Sequence, residues 1–203
     1  ATVPVMSLSP SAKAAGKAAS AMPAQVTTEP LPSAPAVPPT KAIAALLKKA
    51  AKAFDEGHLT APKDASALAY YQQVLAADKN SAAAHAGLGR IHKSRGQQAG
   101  DALDRGDERD AARAIGELGQ VPEADEDVSG LQSRLKALRQ VMPLLTRAAD
   151  LLQQGHATAP PNNNALAVYR QVLKLDSGNK LAERGLIQVQ QGFLDRALAA
   201  AAQ

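Results

Sequence analysis

Cysteine and tryptophan are absent from this chain of 203 residues, which contains only two phenylalanines and three tyrosines. The absence of cysteine excludes disulfide bonds, cysteine-ligated metals and thiol catalysis. It also fits an oxidising compartment, where stray thiols are avoided. With so few aromatic side chains, the core must be built from alanine, leucine, valine and isoleucine, which favours closely packed helices.

Long apolar runs are missing too, because no stretch approaches the roughly 18 apolar residues that a membrane-crossing helix requires. The sequence begins at Ala1 without an initiator methionine or a signal-peptide pattern. We therefore expect membrane association only through a segment that this chain does not contain.

A strong excess of one charge is also lacking, since the net charge is +4 and basic residues alternate with acidic ones. A dedicated nucleic-acid binder would concentrate lysine and arginine on one face. Nucleic acid is therefore not the expected partner, and binding of an anionic polymer, such as nucleic acid or cell-wall glycan, through the basic faces is an alternative.

Proline is concentrated at one end: residues 1–40 contain eight of the 13 prolines and only three charged side chains. Such a stretch cannot bury enough apolar surface to offset the entropy of ordering it. We predict a disordered Pro/Ala-rich linker over residues 1–40 and a folded domain over residues 41–203. At about 3 Å per residue, the extended linker would reach on the order of 100 Å.

An internal repeat of 98 residues organises the rest of the chain. Residues 46–91 align with residues 144–189 without a gap, and 20 of the 46 aligned positions are identical. The shared residues include Gly-His, Thr-Ala-Pro, Tyr and Asp, which chance matches between alanine-rich sequences would not produce. A chain that repeats in this way is typically a stack of units with a binding surface.

Apolar residues recur at helical spacing, and no segment alternates with the period of a strand. The pattern predicts an all-α domain of about seven helices in antiparallel hairpins, over residues 41–56, 65–77, 81–105, 107–122, 123–154, 164–175 and from 179 onward. Gly57 and Gly155 are stop signals, and Ser81 and Asp107 are expected N-caps. Pro143 lies within the fifth segment and should kink that helix or split it in two.

Several positions resemble the tetratricopeptide repeat, a hairpin of two helices that stacks into an α-solenoid. The resemblance rests on Ala67, Tyr71, Val74, Leu75 and Asp78, on their counterparts Ala165, Tyr169, Val172, Leu173 and Asp176, and on Gly106-Asp107 followed by Ala111-Ala112. It implies a concave face, lined by the first helix of each hairpin, that holds a peptide of a protein partner.

Two features depart from that family. About five extra residues, 60–64 and 158–162, follow the turn glycine in both copies, and proline is missing after Asp78 and Asp176. Because the extra loop recurs, it is part of the unit. Its Thr-Ala-Pro sequence predicts an ordered turn that acts as a spacer within the hairpin, with contact to a ligand as the alternative.

The sequence contains no phosphate-binding loop, nucleophile elbow or acid pair in a recognisable pocket, so we expect no enzymatic activity and no cofactor. His58 and His156 are repeat equivalents and should lie far apart, and His85 and His92 are two helical turns apart, so a metal site is not expected. The acidic and basic residues between 101 and 113 are predicted to form a solvated surface of salt bridges.

Five basic residues on the first helices of hairpins are candidates for binding a partner's carboxylates: Lys48, Lys49, Lys52, Arg90 and Lys93. An ordinary solvated face is the alternative. We interpret the chain as a non-enzymatic scaffold for protein–protein interaction, tethered by its linker in a bacterial envelope or in a secretion- or pilus-type assembly.

The expected location is the periplasmic side of a bacterial inner membrane, with the cytoplasm as the alternative. A regulatory repeat domain of a larger enzyme, such as a signalling kinase, is a second functional interpretation. The oligomeric state is left open by the sequence.

Overall fold

The computed structural model describes residues 40–202 and contains seven helices. They are α1 (Lys41–Asp55), α2 (Ala67–Ala77), α3 (Ala82–Arg105), α4 (Glu108–Leu118), α5 (Asp125–Gln153), α6 (Ala165–Leu175) and α7 (Lys180–Ala201). No strand occurs within these residues, and the all-α prediction is confirmed. The linker predicted for residues 1–40 lies outside the described residues except for Thr40, whose side chain accepts a hydrogen bond from the N–H of Ile43 and caps α1.

Short polar side chains cap the N-termini of α1, α2, α4, α6 and α7, whereas α5 begins after Ala124 without a side-chain cap. Asp107 accepts a hydrogen bond from the N–H of Asp110 at 3.0 Å, and this bond is the main reason that the pKa of Asp107 is lowered. Asn179 caps α7 in the same way, through the N–H of Ala182. At the equivalent position in the first copy, Ser81 is the N-cap residue of α3 as expected, but its side chain makes no capping hydrogen bond.

Glycines end three helices in the left-handed conformation that other residues adopt at a cost. Gly57, Gly106 and Gly155 have φ angles of 80°, 78° and 81°. Gly57 and Gly155 are 98 residues apart, so the two copies leave their first helix by the same turn.

Each helix packs against the next one along the chain, most extensively within the pairs α1–α2, α3–α4 and α5–α6. The odd-numbered neighbours α1 and α3, α3 and α5, and α5 and α7 also touch one another. In addition α3 contacts α7, and Arg184 of α7 donates a hydrogen bond to the backbone carbonyl of Asp104 at the end of α3.

Two apolar clusters make up the core. One is formed mainly by α1, α2 and α3, and the other by the C-terminal part of α3 together with α4, α5, α6 and α7. The partly buried side chains of Val128 and Leu131 at the start of α5 pack against both clusters. The core therefore changes from one cluster to the other within α3 and α5, without a linker between them.

Pro143 does not split α5, which runs unbroken for 29 residues. The proline is exposed, so water can reach the carbonyl of Arg139 that loses its helical hydrogen bond. By the repeat, Lys41 at the start of α1 corresponds to Arg139, and the second copy thus begins inside α5. No helix among residues 40–202 has both the length and the apolar character needed to cross a membrane.

Candidate functional site

The sequence repeat corresponds to two similar groups of three helices. The first group is α1, α2 and α3, and the second is residues 139–153 of α5 with α6 and α7. The bounds of α2 and α6 differ by 98 residues at their first residue and also at their last. The connecting loops also match, because His58 and His156 both accept a backbone hydrogen bond from the first residue of the next helix. Each loop contains a cis peptide before proline, at Pro62 and at Pro160.

A buried tyrosine of the middle helix marks the centre of each group. The ring of Tyr71 lies against Gly87, and the ring of Tyr169 lies against Gly185. A Cβ atom at either glycine would overlap the ring, so glycine is required for this close approach. The two tyrosines therefore occupy equivalent positions. In each group, the tyrosine of the second helix lies where the first and third helices meet.

A cavity of about 360 Å³ opens at this place in the second group. We name it the second groove. Its walls come from the end of α3, from α5, from Tyr169 of α6 and from α7, and comprise Arg105, Gly106, Met142, Leu145, Thr146, Ala149, Tyr169, Leu181, Arg184, Gly185 and Gln188. The lining offers polar and apolar surface in similar amounts, and both of its charged side chains are arginines.

Tyr169 is the most deeply buried polar side chain of the second groove, with 5% of its surface exposed. Burial raises the pKa of its hydroxyl above the ordinary value, so the group is a hydrogen-bond donor at neutral pH. No hydrogen bond joins this hydroxyl to another group of residues 40–202. Arg184 donates to the backbone carbonyl of Asp104 at 2.6 Å, which holds its side chain at the edge of the groove.

In the first group the equivalent place is filled by a side chain of the protein itself. Arg90, which aligns with Gln188, donates a hydrogen bond of 3.3 Å to the hydroxyl of Tyr71. Its guanidinium lies 4.3 Å from the centre of the Phe54 ring, within cation–π distance. The two copies thus share one architecture, but the Tyr71 hydroxyl has a partner within the chain, whereas Tyr169 lines the second groove.

Three of the five cations predicted for partner binding contact side chains of this chain. Arg90 binds Tyr71 and Phe54 as described, and Lys52 lies 3.7 Å from Glu56 in an exposed pair. Lys49 lies 5.9 Å from the centre of the Tyr70 ring. Lys48 and Lys93 are exposed on α1 and α3, and we find no ion pair for either among residues 40–202.

The repeat does not preserve this set of five cations. Residues 48, 52, 90 and 93 align with Thr146, Asp150, Gln188 and Gln191, and only Lys49 aligns with another cation, Arg147. Arg147 donates a hydrogen bond to Asn163 in its own loop. The cations are therefore not a repeated element of the fold.

The two Thr-Ala-Pro loops have different surroundings. Thr60 is 5% exposed and donates a hydrogen bond of 3.2 Å to Glu117 of α4. Arg95 of α3 lies 2.9 Å from the same Glu117 carboxylate and donates to the Thr60 hydroxyl. Thr158, the repeat equivalent of Thr60, is exposed. The first loop thus links α3 and α4, in addition to its position as a spacer.

The acidic residues near the α3–α4 turn form ion pairs mostly with α5. Asp104 lies 2.8 Å from Arg134, and Glu108 lies 3.1 Å from Arg139. Only Asp110 and Arg113, at 2.6 Å, form the pair within one helix that sequence spacing predicts. These pairs are exposed and are worth little individually. Residues 40–202 contain no group of three or more histidine, aspartate or glutamate side chains that could hold a metal ion.

Sequence reasoning did not identify Tyr169, Arg105 or Arg184 as members of one site. The sequence places Arg105 in a surface of salt bridges, and Tyr169 stands out there only as a residue that the repeat shares. The repeat alignment contains one signal for this site, because Arg90 aligns with Gln188. A large cation beside the first tyrosine thus corresponds to a shorter, neutral side chain beside the second.

Comparison with protein-family models, with curated proteins and with solved structures finds no match to this chain. Its function therefore has to be argued from the geometry of its own residues.

Proposed function

We propose that this chain is a non-enzymatic protein-interaction module, a short tetratricopeptide-like solenoid that holds a segment of a partner protein in its second groove. The solenoid is supported by the regular packing, in which helix pairs contact each other closely and odd-numbered helices touch across the pairs. A groove between such helices is a common place for an extended or helical peptide to bind.

The observation that carries this proposal is the difference between the two copies. In the first group, Arg90 occupies the position over Tyr71. In the second group, Gln188 leaves about 360 Å³ open over the equivalent Tyr169. A buried polar donor beside apolar side chains is typical of ligand sites, where a few polar groups fix the orientation of the ligand.

The lining indicates the chemistry of the bound segment. Met142, Leu145 and Leu181 favour apolar side chains, while Arg105 and Arg184 favour a carboxylate. No acidic side chain contributes to the lining. We therefore propose a peptide that combines apolar residues with an acidic side chain able to accept a hydrogen bond from Tyr169.

Selection from a random peptide library on the intact chain tests this chemistry. The selected peptides should be rich in apolar residues and contain aspartate or glutamate. Their affinity should fall at least about tenfold in Gln188→Arg, because the new side chain repeats the arrangement that Arg90 has in the first copy. Gln191→Arg is the matched control, since it adds the same charge to α7 at an exposed position outside the groove lining.

Equal loss of affinity in the two variants would indicate a charge effect and contradict binding in the second groove. Unchanged affinity in both would place the bound peptide elsewhere.

Charge reversal of Lys48 and Lys93 tests whether the partner extends to the first copy. If these cations contribute as the sequence predicts, the double variant weakens binding more at low salt than at high salt. A peptide that binds the variant and the original chain equally well would exclude both lysines from the site.

A further inference from the structure

A cavity beside α3 has a lining whose charge is opposite to that of the second groove. Its volume is about 450 Å³, within the range of roughly 300–1,000 Å³ that is common for ligand pockets. We name it the α3 cavity, and its lining comprises Leu75, His85, Leu88, Gly89, His92, Val121, Pro122 and Glu123. This lining contains no lysine or arginine, and Glu123 is its one acidic side chain.

Apolar side chains form one part of the α3 cavity. Leu88 and Val121 are 7% and 4% exposed, and Leu75 in the last turn of α2 is partly buried. Gly89 leaves space in the wall, because an added Cβ atom there would have no neighbour within 4 Å. The cavity therefore offers an apolar surface on which an aliphatic chain can pack.

Polar acceptors form the other part. Glu123, in the turn between α4 and α5, is exposed, and it forms no ion pair within the part of the chain that the structure describes. His85 directs Nε2 at the carbonyl oxygen of Lys79, 2.9 Å away. Because a carbonyl only accepts, Nε2 donates there, and Nδ1 of the neutral ring is an acceptor. The Nε2 atom of His92 lies 3.1 Å from a carboxylate oxygen of Asp127. This part of the cavity thus suits a ligand that donates hydrogen bonds and carries positive charge.

The repeat does not preserve the α3 cavity. Gly89 aligns with Ile187, so a large side chain stands in the second copy where the first leaves space. His85 and His92 align with Glu183 and Gln190. The cavity is therefore not a general element of the fold, just as the second groove is not.

We propose that the α3 cavity binds a lysine or arginine side chain of a protein partner. Both side chains have an aliphatic stem that packs on apolar surface and a cationic head that donates hydrogen bonds to a carboxylate. Leu75, Leu88 and Val121 suit the stem, and the carboxylate of Glu123 suits the head. An acidic side chain of the partner would be repelled by Glu123.

A basic side chain of a protein matches this cavity better than a small polyamine does. A polyamine presents several cations, whereas the α3 cavity has one acidic side chain beside a largely apolar wall. The second groove instead has two arginines and no acidic residue in its lining. The two sites therefore select segments of opposite charge, and binding at the α3 cavity does not depend on binding in the second groove.

Selection from a random peptide library on the Gln188→Arg variant tests the proposal, because the new arginine fills the second groove. The selected peptides should contain lysine or arginine beside apolar residues. Replacing that residue by norleucine, which keeps an aliphatic stem but removes the charge, should weaken binding at least about tenfold.

A matched pair of substitutions locates the acidic group. Glu123→Gln should weaken binding of the selected peptides at least about fivefold, because the cationic head loses its charged acceptor. Glu126→Gln removes the same charge from an exposed residue outside the lining, and should change the affinity by less than about twofold at physiological salt.

Filling the cavity gives an independent test. Gly89→Ile introduces the residue of the second copy at this position and should weaken binding at least about tenfold. Gly96→Leu, likewise copied from the repeat, lies on α3 outside the lining and should leave the affinity unchanged. Neither added Cβ atom meets a neighbour within 4 Å, and circular dichroism verifies that both variants fold.

Several results would overturn the proposal. They are selected peptides without a basic residue, equal losses in Glu123→Gln and Glu126→Gln, and unchanged affinity in Gly89→Ile. A selection that yields no peptide overturns it as well. None of these results bears on the second groove, which the comparison of Gln188→Arg with Gln191→Arg tests separately.

Discussion

Single glycines determine how closely the helices approach each tyrosine. Gly87 and Gly89 lie two residues apart on α3, but only Gly87 faces the Tyr71 ring. An added methyl group at residue 87 would overlap the ring, whereas at residue 89 nothing lies within 4 Å of the added atom. The same helix therefore contains one glycine that packing requires and one that it does not.

We expect Gly87→Ala to reduce the free energy of unfolding by about 2 kcal/mol, because the core must deform to admit the methyl group. Gly89→Ala should instead increase it, by up to about 1 kcal/mol, through the higher helix propensity of alanine. Urea denaturation of the two variants measures the difference. Combining Gly87→Ala with Tyr71→Leu should recover part of the loss, and a strictly additive double variant would show that ring overlap is not the cause.

At this scale the sequence predicted the stop glycines Gly57 and Gly155 and the cap at Asp107, because each depends on the residue and its immediate neighbours. It did not predict that Arg90 would fill the first place over Tyr71. That contact joins three helices. Sequence patterns within one helix do not indicate which of several arginines will lie close to an aromatic ring of another helix.

At the scale of elements, the first Thr-Ala-Pro loop is held by α3 and α4, and the second is not. Thr60→Val should reduce the free energy of unfolding by about 1 kcal/mol, because the Glu117 carboxylate and Arg95 lose a buried hydrogen-bonding partner. Thr158→Val, at the exposed equivalent, should change it by less than about 0.5 kcal/mol. Thermal unfolding of the two variants gives the comparison, and equal effects would contradict a specific role for the Thr60 hydrogen bonds.

Helix positions were largely predictable because apolar spacing, capping residues and glycines agree along most of the chain. Of the two outcomes that Pro143 predicts, a split helix is wrong because α5 continues through the proline, and a kink stays a prediction. A proline signals a break when the carbonyl one turn before it would be left without a hydrogen bond. Residue 143 faces water, which can supply that bond. Whether the residue is exposed depends on how the other helices pack. The position of Arg90 over Tyr71 was unpredictable for the same reason, because it depends on how α1, α2 and α3 pack.

The whole molecule has two apolar clusters that share side chains at the start of α5. Val74 and Val172 are repeat equivalents, both fully buried, and each belongs to a different cluster. Repeat proteins unfold approximately as coupled neighbouring units, so a local defect should have its largest effect nearby.

Val74→Ala should therefore lower protection from amide hydrogen exchange most in α1 and α2, and Val172→Ala most in α5 and α6. Each substitution should cost about 1 to 2 kcal/mol, as expected for loss of buried methyl groups. Hydrogen exchange with mass spectrometry resolves the two patterns. A uniform loss of protection in both variants would mean that residues 40–202 unfold as a single cooperative unit.

The unbroken α5 has a practical consequence for dividing the protein. Because the second copy begins within this helix, a cut at the sequence boundary of the duplication, near Arg139, would sever α5 and expose the apolar side chains that join the two clusters. The duplication boundary and the boundary of an independently folding fragment are thus different places. An excised second copy that fails to fold would reflect this shared helix rather than an intrinsic weakness of its hairpins.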